Sequence, residues 1–285
     1  MAVLGVIGDL VEDVVVKLHG VVNLASDTEA EITRRRGGSA ANVVEAACRA
    51  GGRAKFIGQV GDDATGQWLT QSLVDVGAEL MIRREGRTGT IVVVVDSAGE
   101  RTMLSDRASS TDLSDPEPEW LDGLQTLHVP YYSLVGEPLA TTTATLAAWA
   151  VDRGIAVSID TSSAALLQHI GAEAALARIA TVKPSVVLAN ELEAAVLGIG
   201  LHPDHLGGAV VVVKQGAAPA IVMQRGEAPV EVPASLIDGV RDTTGAGDAF
   251  AAGFLLATAD GCSAIEAARH GHRVAADAVR RASGC

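Results

Sequence analysis

The sequence predicts an α/β fold, a three-layer sandwich whose central, mostly parallel doubly wound sheet carries a small β-sheet lid. Three observations predict it. Short β-branched runs alternate with Ala/Leu-rich segments of helical length over most of the chain, the pattern of strands joined by crossover helices. Several runs are continuously apolar, such as "IVVVV" at 91–95, which suits strands buried on both faces. Two stretches, about 13–36 and 87–105, are strand-like but have no helix of their own, so they read as hairpins projecting from the main sheet. With 285 residues, 48 % hydrophobic and 20 % charged, one domain over 1–285 has enough chain for a sizeable core. Aromatics are only 3 %, so Val, Ala, Leu and Ile must build that core.

The elements follow in order. A strand at 3–8 leads to the first lid hairpin. A helix is expected over 39–50, with Ser39 as its N-cap and Gly51 as its stop. A strand at 55–61 precedes a helix at 64–76 that ends at Gly77. The strand at 90–96 turns at "DSAGE" (96–100) into the second half of the lid. "SDPEPEW" (114–120) reads as a surface loop. Strands then follow at 126–132, 155–160, 185–190, 208–216 and 220–226, with helices at 138–152, 190–198, 247–259 and 263–281. In such sheets ligands sit beyond the C-terminal strand ends.

Composition excludes several functions. A net charge of −13 argues against a nucleic-acid or anionic-membrane partner. Cys48, Cys262 and Cys285 are far apart, so neither a disulfide framework nor a zinc site is expected, and a reducing cytoplasm fits. "MAVLGVIGDL" has no basic n-region and reads as strand, not signal peptide. No apolar run is long enough to span a bilayer. There is no G-x-x-x-x-G-K-[ST] phosphate loop. His202, Asp204 and His205 in "LHPDH" read as a surface turn, and His270 and His272 point to different faces of a helix.

The chemistry concentrates in "DTTGAGDAFAAGFL" (242–255). Gly245 and Gly247 let backbone N–H groups approach a ligand closely. The helix starting near Asp248 adds unpaired N–H groups and the positive end of its dipole. Gly245, Ala246 and Gly247 thus form an anion hole, with a carboxylate set beside it. A carboxylate in reach of an alcohol can take its proton as the oxygen attacks, and the helix N-terminus favours the ionised form. In "GGSAAN", Gly37 and Gly38 allow close backbone approach, and Asn42 offers a donor and an acceptor suited to vicinal hydroxyls.

These motifs resemble the two signatures of the ribokinase-like (PfkB) family of sugar and nucleoside kinases. "GGSAANVVEAACRAGG" (37–52) is similar to the N-terminal signature and "DTTGAGDAFAAGFL" to the C-terminal one. "IGQVGDDATGQWL" (57–69) is similar to the segment between them, and the likeness runs from Gly8 to about Gly253. The resemblance implies that Asp248 is the general base that receives the proton of a substrate hydroxyl attacking the γ-phosphate of ATP. It implies sugar contacts at Gly37, Gly38, Asn42 and Asp13, with Asp9 a weaker candidate. It implies that Asn190 and Glu193, the N-x-x-E of "NELE", organise magnesium, and that Lys214 and Gly216 contact the nucleotide. Pro219 departs from the family pattern beside that turn. Asp242 and Thr244 match residues that bind a monovalent cation in some relatives, which leaves a potassium requirement open.

The expected activity is ATP-dependent phosphorylation of a sugar of the ribose, fructose or keto-deoxy sugar acid class. The rival is an adenosine-like nucleoside kinase. The low aromatic count weighs against it, although Tyr131, Tyr132 and Phe56 offer stacking surfaces. A non-catalytic sugar-binding regulator would not need Asp248. A homodimer formed through the lid is also expected. Arg101, in "GERT", reads equally as a solvated strand residue or as a lid contact.

Overall fold

The computed structural model describes residues 3–240 and 242–283, so Cys285 lies outside the described residues. Two sheets form. The larger has nine strands, β1 (Val3–Ile7), β4 (Arg53–Val60), β5 (Glu79–Arg84), β8 (Leu124–Pro130), β9 (Ala156–Asp160), β10 (Val186–Asn190), β11 (Val210–Lys214), β12 (Ala220–Met223) and β13 (Val230–Val232). Their order is β13-β12-β11-β10-β9-β8-β1-β4-β5. Every pairing from β11 to β5 is parallel, and only β12 and β13 join antiparallel. The chain first builds away from β1 through β4 and β5, then returns to β8 on its other side. That reversal is a topological switch point, where α/β sheets open a crevice at their C-terminal edge.

The apolar strand runs are buried on both faces, as their continuous patterning requires. Val3 and Ile7 pack into one core with helices α3 (Leu139–Asp152), α4 (Ala164–Ile170), α5 (Ala172–Thr181) and α6 (Glu191–Leu197). Leu4 and Val6 face the opposite core, built with α1 (Ser39–Arg49), α2 (Ala64–Val74), α7 (Ala246–Ala259) and α8 (Ala264–Ser283). This is the three-layer sandwich expected.

The smaller sheet is the lid. Its four strands, β2 (Val11–Leu18), β3 (Ala30–Gly37), β6 (Thr90–Val95) and β7 (Arg101–Asp106), are ordered β3-β2-β6-β7. Val11, Ile91 and Val93 form a small apolar cluster on one face. Asp63 ties the lid's root to the body. Its carboxylate caps α2 by accepting from Gly66 N–H at 2.7 Å, and also accepts the Thr88 N–H at 2.8 Å and the Thr88 hydroxyl at 2.7 Å.

Four features differ from the sequence reading. Strands β5 and β13 were not expected; both lie at sheet edges, where partial burial leaves no continuous apolar run. Helices α4 and α5 were missed because they are short and follow one another with only Gly171 between them. Ser39 is not the N-cap of α1. Gly38 is, at φ 100°, where a Cβ would stand 2.4 Å from the Asp9 carbonyl oxygen; Ser39 is thereby freed for another partner. Tyr131 and Phe56 are fully buried in the core, so neither presents a stacking surface. Among the described residues no helix is long and apolar enough to cross a membrane, and Cys48 and Cys262 are free.

Candidate active site

The C-terminal ends of five parallel strands converge on one cavity of about 290 Å³ beneath the lid. Asp9 follows β1, Tyr132 follows β8, Asp160 ends β9, Asn190 ends β10 and Lys214 ends β11; all line it. Val11, Ile91, Val93 and Met103 form its lid wall. Asp248, Gly245, Gly247 and Thr244 close it from the start of α7. The sheet thus gathers side chains from positions 9 to 248 at one edge.

Asp248 stands in the first turn of α7, three residues after the N-cap Gly245, which adopts the left-handed conformation at φ 77°. Its carboxylate accepts the Ser39 hydroxyl at 2.8 Å and the Asn42 side-chain amide at 2.9 Å. Arg36 donates to the Asn42 side-chain oxygen at 3.1 Å, which turns that amide so its NH₂ faces Asp248. Burial pushes the Asp248 pKa up to about 6. The Asn42 hydrogen bond opposes the rise, Asp160 adds to it, and Ser39 and Lys214 oppose it. Desolvation outweighs the hydrogen bonds and the Lys214 charge that favour the ionised form.

The remaining sequence candidates sort by place. Asp13, Gly38 and Asn42 line the cavity beside Asp9. Asp13 faces Arg35 at 3.7 Å, and burial raises its pKa against that guanidinium. Asp9 is ion-paired with Arg107, whose guanidinium lies 4.0 Å over the Tyr132 ring. Gly37 is outside the lining; a Cβ there would stand 2.1 Å from the Asp13 carboxylate. It makes room for Asp13 instead of approaching a ligand itself.

Asn190 and Glu193 form a reciprocal capping box on α6. The Glu193 carboxylate accepts the Asn190 N–H and side-chain amide, each at 2.8 Å, and the Thr161 hydroxyl at 2.6 Å. Burial, then Asp160, raise its pKa. Lys214 is ion-paired with Asp160; burial works against its charge, but Asp160 holds its pKa above the usual lysine value. A second, larger cavity of about 490 Å³ adjoins this one, lined by Lys214, Gly216, Ala246, Gly247 and the apolar Leu236 and Phe250. Ala246 N–H donates to Thr243 O at 3.1 Å, so of the three residues expected to form an anion hole it already has a backbone partner. Asp242 lies outside the cavity under the lid, in a cleft beside Arg35 and Arg36.

Sequence reasoning missed Asp160, Ser39, Arg36 and Arg107. Asp160 carried a usable signal, since it is the carboxylate ending the buried run "IAVSID" at the edge where ligands gather. The others carried none: Ser39 and Arg107 have partners distant in sequence, and Arg36 reaches Asn42 only across the turn from β3 into α1. Arg101 is a lid contact: it donates to the Thr244 hydroxyl and, at 3.1 Å, to Asp242. His202 and Asp204 lie 3.5 Å apart in a turn. Among the described residues no cluster of His, Cys, Asp and Glu suited to a metal is present. His272 is buried against Phe250 while His270 is exposed.

Comparison with known proteins gives concordant matches. The sequence model of the pfkB family carbohydrate kinases matches residues 1–285. A fructokinase of Klebsiella pneumoniae is 34 % identical over 250 residues, covering 82 % of this chain and 80 % of that protein. An ATP-dependent ribose-1-phosphate kinase of Halopiger xanaduensis is 32 % identical over 278 residues, covering 89 % of each chain. The crystal structure of adenosine kinase from Sinorhizobium meliloti superposes with a TM-score of 0.83 at 23 % identity, covering 98 % of this chain and 93 % of that one.

Proposed function

The chain belongs to the pfkB family of carbohydrate kinases, with a ribokinase-like fold, and as an ATP-dependent sugar kinase of that family we propose that it uses Asp248 as general base. One observation carries this reading. The two motifs at opposite ends of the chain meet on a single carboxylate, Ser39 and Asn42 donating to Asp248 across 209 and 206 residues of sequence. Two positioned donors fix the carboxylate's direction, and one face of it borders the cavity under the lid. A sugar hydroxyl placed there would give up its proton as its oxygen attacks the γ-phosphate. Asp13, Asp9 and Asn42 would hold the remaining hydroxyls. Gly245 and Gly247, at the start of α7, would receive negative charge on the transferring group. The cavity of about 490 Å³ has the size and apolar lining for the adenosine half of ATP, with Lys214 at the junction of the two cavities.

Magnesium would neutralise phosphate charge and come largely with the nucleotide. The Glu193 carboxylate already accepts three hydrogen bonds. That suits Glu193 and Asn190 to ordering the ion's water shell and not to direct ligation.

The acceptor proposed is a sugar of the ribose, fructose or keto-deoxy sugar acid class, for which Asp9, Asp13 and Asn42 supply hydroxyl partners. A nucleoside acceptor is supported by the apolar lid wall of Val11, Ile91, Val93 and Met103. A non-catalytic binding role is disfavoured by Asp248 itself. An ATP-consumption screen against pentoses, hexoses, keto-deoxy acids and nucleosides separates these readings. Turnover with a free sugar is expected; binding without turnover for every compound would favour the regulator. Asp248→Asn is expected to lower kcat by about 10²–10⁴-fold on the accepted sugar, and retention of more than about a tenth of wild-type activity would exclude the general-base role.

A further inference from the structure

Asp242 and Thr244 are where a monovalent cation would sit by family resemblance, and the residues around them do not fit one. Asp242 Oδ1 accepts the Thr244 N–H at 2.8 Å, the Thr244 hydroxyl, and Arg101 Nη2 at 3.1 Å. Its other oxygen faces Arg35 Nη1 at 3.6 Å. The Thr244 hydroxyl oxygen in turn accepts Arg101 Nη1. Potassium needs oxygen lone pairs and surplus negative charge. Here both candidate side-chain oxygens already meet a guanidinium, and two positive groups face one carboxylate. The strong neutralisation shows in the Asp242 pKa: partial burial opposes ionisation, but the Thr244 and Arg101 contacts bring it down to about 2.

Both arginines belong to the lid. Arg101 opens β7 and Arg35 lies near the end of β3, the two edge strands of that sheet. Across the register Arg101 pairs with Val95, and Arg35 with Asp13. Those positions share the face that carries Ile91, Val93 and Met103, the face that covers the cavity.

We infer that Arg101, assisted by Arg35, takes the place of the monovalent cation at the root of the 242–248 loop. The positive charge is then delivered by the lid and not by a dissociable ion. Closing the lid over the sugar and bracing the loop become one event, and the enzyme is indifferent to potassium. Arg101 acts here as a positioning residue, through Asp242 and Thr244. The inference rests on the proposed role of this loop in receiving the phosphoryl group.

Two measurements on the full chain test it. ADP–magnesium affinity is measured calorimetrically in potassium, sodium and tetramethylammonium chloride at equal ionic strength. Wild type is expected to bind equally in all three. Arg101→Ala is expected to bind about fivefold more weakly in tetramethylammonium, the scale of one partly exposed ion pair, and to recover with potassium or millimolar guanidinium. Arg101→Lys keeps the charge but loses the two-pronged fork and should fall between. A severalfold gain for wild type on adding potassium overturns the inference, as does an Arg101→Ala protein that matches wild type and ignores every ion. Thermal melting of both proteins in the same salts, without nucleotide, gives the ion response independently. Failure of wild type to bind ADP would therefore refute the proposed role of this loop, while the melting data still decide the role of Arg101.

Discussion

As the proposed general base, Asp248 must be ionised to accept a proton, yet burial raises its pKa to about 6. Sugar phosphorylation should therefore lose activity as pH falls through about 6, an acid limb readable in a kcat/KM profile. Removing Ser39's hydroxyl in Ser39→Ala takes away a hydrogen bond to the ionised form. Such bonds contribute about 1.5 kcal/mol or more, so the limb should move up by about one unit. An unmoved limb would mean the profile reports another group. The sign for stability runs the other way. A carboxylate whose pKa is raised on folding favours the fold below its unfolded pKa, and that contribution is lost as pH climbs through about 6. Asp248→Asn cannot ionise and can still pair with Ser39 and Asn42. At pH 8 it should melt no lower than wild type while losing activity, as expected where function costs stability. Asp248 was legible because a carboxylate next to a glycine turn at a helix start is a local pattern. Ser39 and Arg36 were not, since what they do depends on a partner on another element.

At the scale of elements, Asp63 joins two jobs that the sequence shows only as "GDD". It caps α2 and holds Thr88 at the root of the lid. Asp63→Ala should destabilise the protein by about 1–3 kcal/mol, combining a lost cap with an unpaired Thr88 N–H. Denaturant unfolding checks the loss, and a change below about 0.5 kcal/mol would show that the lid root is held by other contacts. The buried strands and long helices were legible because burial imposes continuous apolar runs or helical spacing. Strands β5 and β13 and helices α4 and α5 escaped because edges and short elements carry weak periodicity. "NELE" shows the same division. Its capping box is local and readable, but the third hydrogen bond that Glu193 accepts, from the Thr161 hydroxyl, comes from the neighbouring strand's end.

At the scale of the molecule, the lid buries Val11, Ile91 and Val93 on its cavity side and leaves an apolar outer side part-exposed. Val14, Val16, Val92 and Val94 alternate with the cavity-facing residues, and on the flanking strands Ile32 is 62 % and Leu104 59 % exposed. The proposed homodimer would cover that outer face with a second copy, as patches of this kind favour. Sedimentation velocity should show a dimer at micromolar concentration, converted to monomer by Ile32→Lys with Leu104→Glu; a wild-type monomer would remove the proposal. By itself the sequence determined the alternation of strands and helices, the lid segments and the glycine turn that opens the 246–259 helix, because each is written in local periodicity or in glycines at a turn. Only the tertiary structure decided how these parts share charge. It paired Asp160 with Lys214 and Asp9 with Arg107, set Ser39 and Asn42 on Asp248, and brought Arg101 from the lid onto Asp242. Electrostatic contacts act through space between groups far apart along the chain, and desolvation depends on everything packed around a group. Neither quantity exists until the strands have gathered their ends at one edge of the sheet.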